Sequence, residues 1–150
     1  KETDPEVVFG ISPQGNMENN YDKQFIDVKE WLTEDGYIDY ICPQIYFGFQ
    51  NQTVPYASSL AEWDPMTGNS GVQLYVGLAV YKCGAIDQWA GAGQNEWVNE
   101  NDLLRRMVSS ARDSAKYGGF ALYRYDSLFR PESGAKKRVE QEKEHLSSIL

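Results

Sequence analysis

Four short apolar runs, separated by stretches of helical periodicity, constrain the fold of this chain more than any other feature. They are Val7-Val8-Phe9-Gly10-Ile11-Ser12-Pro13, Ile38-Asp39-Tyr40-Ile41-Cys42-Pro43-Gln44-Ile45-Tyr46-Phe47, Val72-Gln73-Leu74-Tyr75-Val76-Gly77-Leu78-Ala79-Val80-Tyr81 and Gly119-Phe120-Ala121-Leu122-Tyr123-Arg124-Tyr125. Each is too short for a helix, rich in β-branched or aromatic residues, and nearly continuous in hydrophobicity, the pattern of parallel strands buried on both faces. The runs begin 31, 34 and 47 residues apart, and a βαβ unit takes roughly 30 residues or more. Between them, Tyr21 to Glu34 sets Phe25, Val28, Trp31 and Leu32 on one stripe, with Gly36 placed to end the helix. Ala57 to Trp63 reads as a shorter helix. Asn99 to Tyr117 gathers Leu103, Leu104, Met107, Val108 and Ala111, and Lys136 to Leu150 forms a last amphipathic helix. This β-α-β-α-β-α-β-α order calls for an α/β fold with a parallel sheet and right-handed crossovers, in one domain over residues 1–150.

Two architectures fit that order: a doubly wound four-stranded sheet, or a (β/α)4 unit forming half of an eight-stranded TIM barrel. A nucleotide-binding doubly wound domain carries a glycine-rich phosphate turn after its first strand. Here that turn reads Ser12-Pro13-Gln14-Gly15-Asn16-Met17, with one glycine and no lysine, which disfavours nucleotide binding. The third unit is the longest, and its excess lies in Tyr81 to Glu100. An expanded loop after a strand is where barrel enzymes carry function.

The net charge of −8 opposes binding to nucleic acid, which requires a cationic face, and to anionic membrane surfaces. The basic cluster Lys136, Lys137 and Arg138 alternates with Glu140, Glu142 and Glu144, as on a solvated helix face. No apolar stretch approaches the ~20 residues that span a bilayer. A single histidine, His145, and two cysteines, Cys42 and Cys83, supply neither a zinc site nor a Ser-His-Asp triad, though one disulfide stays open. No metal or organic cofactor is expected. Aromatic residues reach 13%, which suits either a tyrosine-rich core and rim or a surface that binds something.

The strand-end motifs Phe9-Gly10-Ile11-Ser12-Pro13-x-Gly15, Tyr37-Ile38-Asp39-Tyr40-Ile41-Cys42-Pro43-Gln44-Ile45-Tyr46-Phe47 and Leu74-Tyr75-Val76-Gly77-Leu78-Ala79-Val80-Tyr81-Lys82 resemble the C-terminal half of the glycosyl-hydrolase-like family ten proteins. Those are bacterial proteins of glycoside-hydrolase type with a TIM-barrel fold. The resemblance spans about residues 7 to 130, with Asp39 to Tyr46 its most specific part. It implies the half-barrel architecture, an extracytoplasmic location and a glycan substrate, which for some members is peptidoglycan stripped of peptides. The family carries an Asp-Asp-Tyr-Phe-Tyr-Pro motif on an earlier strand, and nothing here matches it. The resemblance therefore implies that the first four strands, with catalytic acids, lie outside this sequence, and that the chain alone is inactive.

Glycoside hydrolysis uses two carboxyl groups flanking the scissile bond. Asp126, just after the fourth run, is the candidate, either as a site residue or as a turn former bonded to its own backbone. Asp87 and Glu96, in the long loop, are weaker candidates, and Asp39 lies at the start of its strand, away from the catalytic face. Gln44 and Tyr46 share parity, so both point either to the barrel interior or to the helices. Gln44 suits a sugar hydroxyl or a structural amide bond. Tyr81 and Lys82 end the third run, where Lys82 meets a substrate group, a catalytic acid or water. Tyr123 and Tyr125 share parity, opposite Arg124 and Asp126, and one pair faces the interior. Trp89 and Trp97 lie in the long loop, either to stack on a sugar ring or to tie the loop down. The substrate-binding set is thus Gln44, Tyr46, Tyr81, Lys82, Trp89 and Tyr125.

Three readings follow: a fragment of a glycan-cleaving enzyme that supplies part of the cleft, a non-catalytic carbohydrate-binding or scaffold domain, or a complete small α/β domain of unrelated role. An open half-barrel exposes two strand edges and one apolar face, so self-association, as a homodimer through those edges, is expected.

Overall fold

The computed structural model describes residues 4–68 and 71–150. Its four strands, β1 (Gly10–Ile11), β2 (Tyr40–Ile41), β3 (Gln73–Ala79) and β4 (Tyr117–Tyr123), form one parallel sheet in the order β1-β2-β3-β4. The helices are α1 (Met17–Gln24), α2 (Val28–Thr33), α3 (Tyr56–Gly68), α4 (Glu96–Asn99), α5 (Leu103–Ala111), α6 (Tyr125–Phe129) and α7 (Lys136–Ser147). Parallel neighbours in chain order, joined by crossovers of one hand, carry their helices on one face. A doubly wound sheet would reverse its order and be covered on both.

The first two strands are shorter than the apolar runs that announce them. Pro13 and Pro43 follow them closely and have no N–H for the ladder. The alignment continues through isolated bridges from Gln14 to Gln44 and from Gln44 to Gly77. The helix expected over Tyr21 to Glu34 is two helices. Phe25 adopts a left-handed backbone (φ 57°) that ends α1, and the Asp27 carboxylate accepts the Glu30 amide to start α2. Of the helix expected over Asn99 to Tyr117, only Leu103–Ala111 is helical, as α5; α4 precedes it, and Tyr117 already opens β4.

The core lies between the sheet and its helices. Ile41, Leu74, Val76 and Leu78 meet Val28, Leu32, Leu60, Trp63, Leu103, Leu104, Met107, Val108, Val139 and Leu146. Tyr56 donates from this core to the Met107 carbonyl at 2.8 Å, and the Trp63 indole to the Gly15 carbonyl at 2.8 Å. Both rings thus bury their area without orphaning a polar atom. Cys83 is buried in the core and Cys42 is half-buried on the other side of the sheet, and both are free thiols.

That other face has no helix among the described residues. Side-chain alternation puts Gly10, Tyr40, Cys42, Tyr75, Gly77, Ala121 and Tyr123 there, around an open cavity of about 570 Å³. Tyr40 stands edge-on to Tyr75 at 5.4 Å, near the N-terminal ends of the strands. Small residues, Cys42, Gly77 and Ala121, occupy the middle.

Candidate functional site

The C-terminal ends of β2, β3 and β4 bring three tyrosines together. Tyr46 and Tyr123 stack 5.7 Å apart at 25°, and Tyr81 stands edge-on to both, 5.9 Å from Tyr46 and 6.1 Å from Tyr123. Offset and edge-to-face geometries of this kind are the favourable ones for aromatic rings. Tyr81 and Tyr123 remain about half exposed, so the triad offers ring surface and hydroxyls to solvent. Burial, and then the neighbouring Cys42, Tyr81 and Tyr123, push the Tyr46 phenol up to about 12. Burial, Asp87 and Tyr123 raise Tyr81 as well. Both groups are therefore neutral hydrogen-bond donors at physiological pH.

Gln44 is committed within the protein. Its amide nitrogen donates to the Ser12 carbonyl at 3.0 Å and reaches the Ser12 hydroxyl at 3.4 Å. The turn after β1 is fixed by buried Asn20, whose amide donates to the carbonyls of Gln14 (2.7 Å) and Asn16 (3.1 Å) while its oxygen accepts the Gln14 N–H (3.1 Å). Gly15 closes this turn against the Gln44 carbonyl, at a spacing that leaves no room for a β-carbon.

Asp126 lies in the first turn of α6 and is exposed. It lines a cavity of about 640 Å³ together with Arg124, Arg130 and two of the three tyrosines, Tyr81 and Tyr123. Tyr125 departs from the strand parity because the chain turns into α6 at that residue. Its ring packs on Phe129 at 4.8 Å and is exposed, outside the triad. Tyr123 takes the place beside Tyr46 and Tyr81 instead, and the signal for it was the strand parity that left the two pairs open.

The long loop after β3 separates its candidates. Lys82 pairs with Asp87 at 2.6 Å. Trp89 is exposed, whereas Trp97 is buried in the core. Glu96 is buried too, and its oxygens accept the amides of Phe49 (3.1 Å) and Gln50 (2.9 Å). Burial raises its carboxyl above the ordinary glutamate range, against the pull of those amides. Its role is to fasten the loops that follow β2 and β3 to each other. Asp39 accepts the Phe9 amide at 2.9 Å at the opposite end of the sheet. Among the described residues no group of three His, Cys, Asp or Glu side chains is placed to hold a metal ion, and no helix is long and apolar enough to cross a membrane.

The sequence profile of the Glycosyl hydrolase-like 10 family matches residues 1–109, a span that ends before β4 and Asp126. Curated relatives carry the match further. Glycosyl hydrolase DigH of Escherichia coli O6:H1 (strain CFT073) is 28% identical over 149 residues, covering 89% of this chain and 33% of its own. DigH of Escherichia coli K12 is 27% identical over the same shares. Glycosyl hydrolase YngK of Bacillus subtilis (strain 168) is 32% identical over an alignment of 122 residues that covers 71% of this chain and 24% of the relative. The chain thus spans a third or less of the length of these relatives.

Proposed function

This chain belongs to the Glycosyl hydrolase-like 10 family, and on that premise we propose that it forms one wall of the glycan cleft of a glycoside hydrolase. The observation that carries the reading is the tyrosine triad of Tyr46, Tyr81 and Tyr123 at the C-terminal strand ends. In parallel α/β barrels that end of the sheet is where substrates bind, and neutral phenols beside exposed ring faces suit sugar hydroxyls and the apolar faces of pyranose rings. Asp126, sharing a cavity with Tyr81 and Tyr123, is the carboxyl within this chain best placed to take part in bond cleavage. Gln44 acts on the substrate indirectly, by fixing the Ser12 turn below the triad, and Tyr125 forms the outer rim.

The open sheet face supports a half-barrel reading. Its layer of small residues between two layers of tyrosines leaves volume for side chains of further strands, as successive layers fill a closed barrel. The catalytic partner of Asp126 would then come from those strands, in an extracytoplasmic enzyme. Alone, the chain would cover that face and the edges of β1 and β4 by pairing with a second copy.

Calorimetric titration of this chain with oligosaccharides, including peptide-free peptidoglycan strands, tests the reading. Saturable binding to one class, weakened by Tyr46→Ala or Tyr123→Ala, supports it. Turnover by the full-length protein, abolished by Asp126→Asn, distinguishes a hydrolase from a carbohydrate-binding scaffold. Absence of binding in both forms of the protein would sink the glycan reading.

A further inference from the structure

The strongest unexplained feature is Trp89, 87% exposed on a loop whose backbone is firmly fixed. A single exposed aromatic is common on protein surfaces, but this one is carried on a loop whose backbone is hydrogen-bonded on both sides of it. The Asp87 amide donates to the Gln94 carbonyl (2.9 Å), the Ala90 amide to the Asp87 carbonyl (3.0 Å), and the Gln52 amide to the Ala90 carbonyl (3.2 Å). Ala90 is buried, and Gly93 lies so close to the Gln50 carbonyl that a β-carbon would collide with it.

At the centre of the loop is Asp87, only 5% exposed. One of its carboxylate oxygens takes the Lys82 ammonium at 2.6 Å and the other accepts the Trp89 amide at 3.3 Å. Lys82 directly follows Tyr81 of the triad. A single buried carboxylate therefore joins the residue next to Tyr81 to the backbone of Trp89. A buried ion pair is costly in water-free surroundings and is a weak means of stabilisation, but it fixes relative position well.

We infer that Trp89 is a separate stacking platform for a sugar ring beyond those that meet the tyrosine triad, and that Lys82 and Asp87 are positioning residues that tie it to the segment carrying Tyr81. The inference rests on the glycan reading above and adds the substrate's extent: a chain long enough to touch the triad and the indole together. Lys82 touches no substrate in this scheme.

The test uses the full-length protein and peptide-free peptidoglycan strands and chito-oligosaccharides sorted by length, with affinity or KM measured for each. Trp89→Ala is expected to weaken long oligosaccharides about tenfold, the size of one aromatic stacking contact, and to leave disaccharides unchanged. Trp89→Phe restores most of the loss. Asp87→Asn and Lys82→Met are expected to reproduce the length-dependent loss with kcat retained, and to raise the mobility of the Trp89 indole seen by fluorescence anisotropy. Unchanged affinity at every length in Trp89→Ala overturns the platform. A lowered melting temperature in Asp87→Asn without a length-dependent change overturns the positioning role. If the wild-type protein binds none of these glycans, the functional reading falls, and the platform with it.

Discussion

Glu142 reaches across from α7 to cap a helix that begins 39 residues earlier: its Oε2 accepts the Leu104 amide at 2.9 Å, and its Oε1 the Leu103 amide at 3.0 Å. The residue in the usual capping position, Asp102, makes no such bond, because its carboxylate is turned to the Arg105 guanidinium. A buried carboxylate with two amide donors is a strong tether between distant elements. Glu142→Ala orphans both amides and is expected to cost about 1–3 kcal/mol, with Glu142→Gln between it and wild type. Urea denaturation measures both.

The same residue gives stability an unusual pH dependence. Burial raises the Glu142 carboxyl above the ordinary glutamate range, although the two amides pull the other way. A group raised in the folded state keeps its proton where the unfolded chain has lost it. Its contribution is complete below the unfolded pKa and is lost as pH rises through the folded one. The urea midpoint of wild type relative to Glu142→Gln should therefore fall as pH rises above the ordinary glutamate range, which lies near pH ~4.

Asp102 has the opposite sign. The Arg105 guanidinium beside it holds its carboxyl below the ordinary aspartate range. Its contribution is present above that range and is lost as pH falls through the lowered value. Asp102→Asn is expected to destabilise the protein at neutral pH and to converge on wild type in acid, in the same denaturation series.

Tyr46 should be visible directly. With its phenol pushed up to about 12, it ionises well after an unperturbed tyrosine near pH 10. An ultraviolet phenolate titration of the chain is expected to lose part of its late-rising component in Tyr46→Phe. An unchanged curve would mean that the triad is more open than its ring distances indicate.

Gly15→Ala tests the turn beneath the triad. A β-carbon there would run into the Gln44 carbonyl and lie 2.9 Å from the Ile45 α-carbon, an overpacking expected to cost about 1–3 kcal/mol. Trp63→Phe removes the indole bond to the Gly15 carbonyl and is expected to cost about 1 kcal/mol. Chemical denaturation reads both.

The alternation of elements was legible because strands and helices leave different periods, and the runs around Ile41 and Leu74 did become neighbouring parallel strands. Helix ends were not, because they depend on tertiary partners. Nothing local to Asp102 announces that Glu142 caps α5, and Phe25 breaks α1 by a left-handed backbone that its side chain does not advertise. At the strand ends, the shared parity of Tyr123 and Tyr125 held only until the chain turned at α6. Trp89 and Trp97 looked alike in one loop, and only the packing of α4 separates an exposed ring from a core one. The sequence leaves Lys82 facing a substrate group, a catalytic acid or water, and does not reveal that Asp87, five residues on, is its partner.

The sequential strand order has a kinetic consequence. Every strand pairs with the one made just before it, β1 with β2, β2 with β3, β3 with β4, so ribosomal synthesis delivers each docking surface before the segment that needs it. Each pairing joins consecutive units, so no closure spans more than one crossover, although parallel pairing of this kind is slow beside local helix formation. A nascent chain of this topology can consolidate one unit at a time, growing from its amino-terminal end as it leaves the exit tunnel.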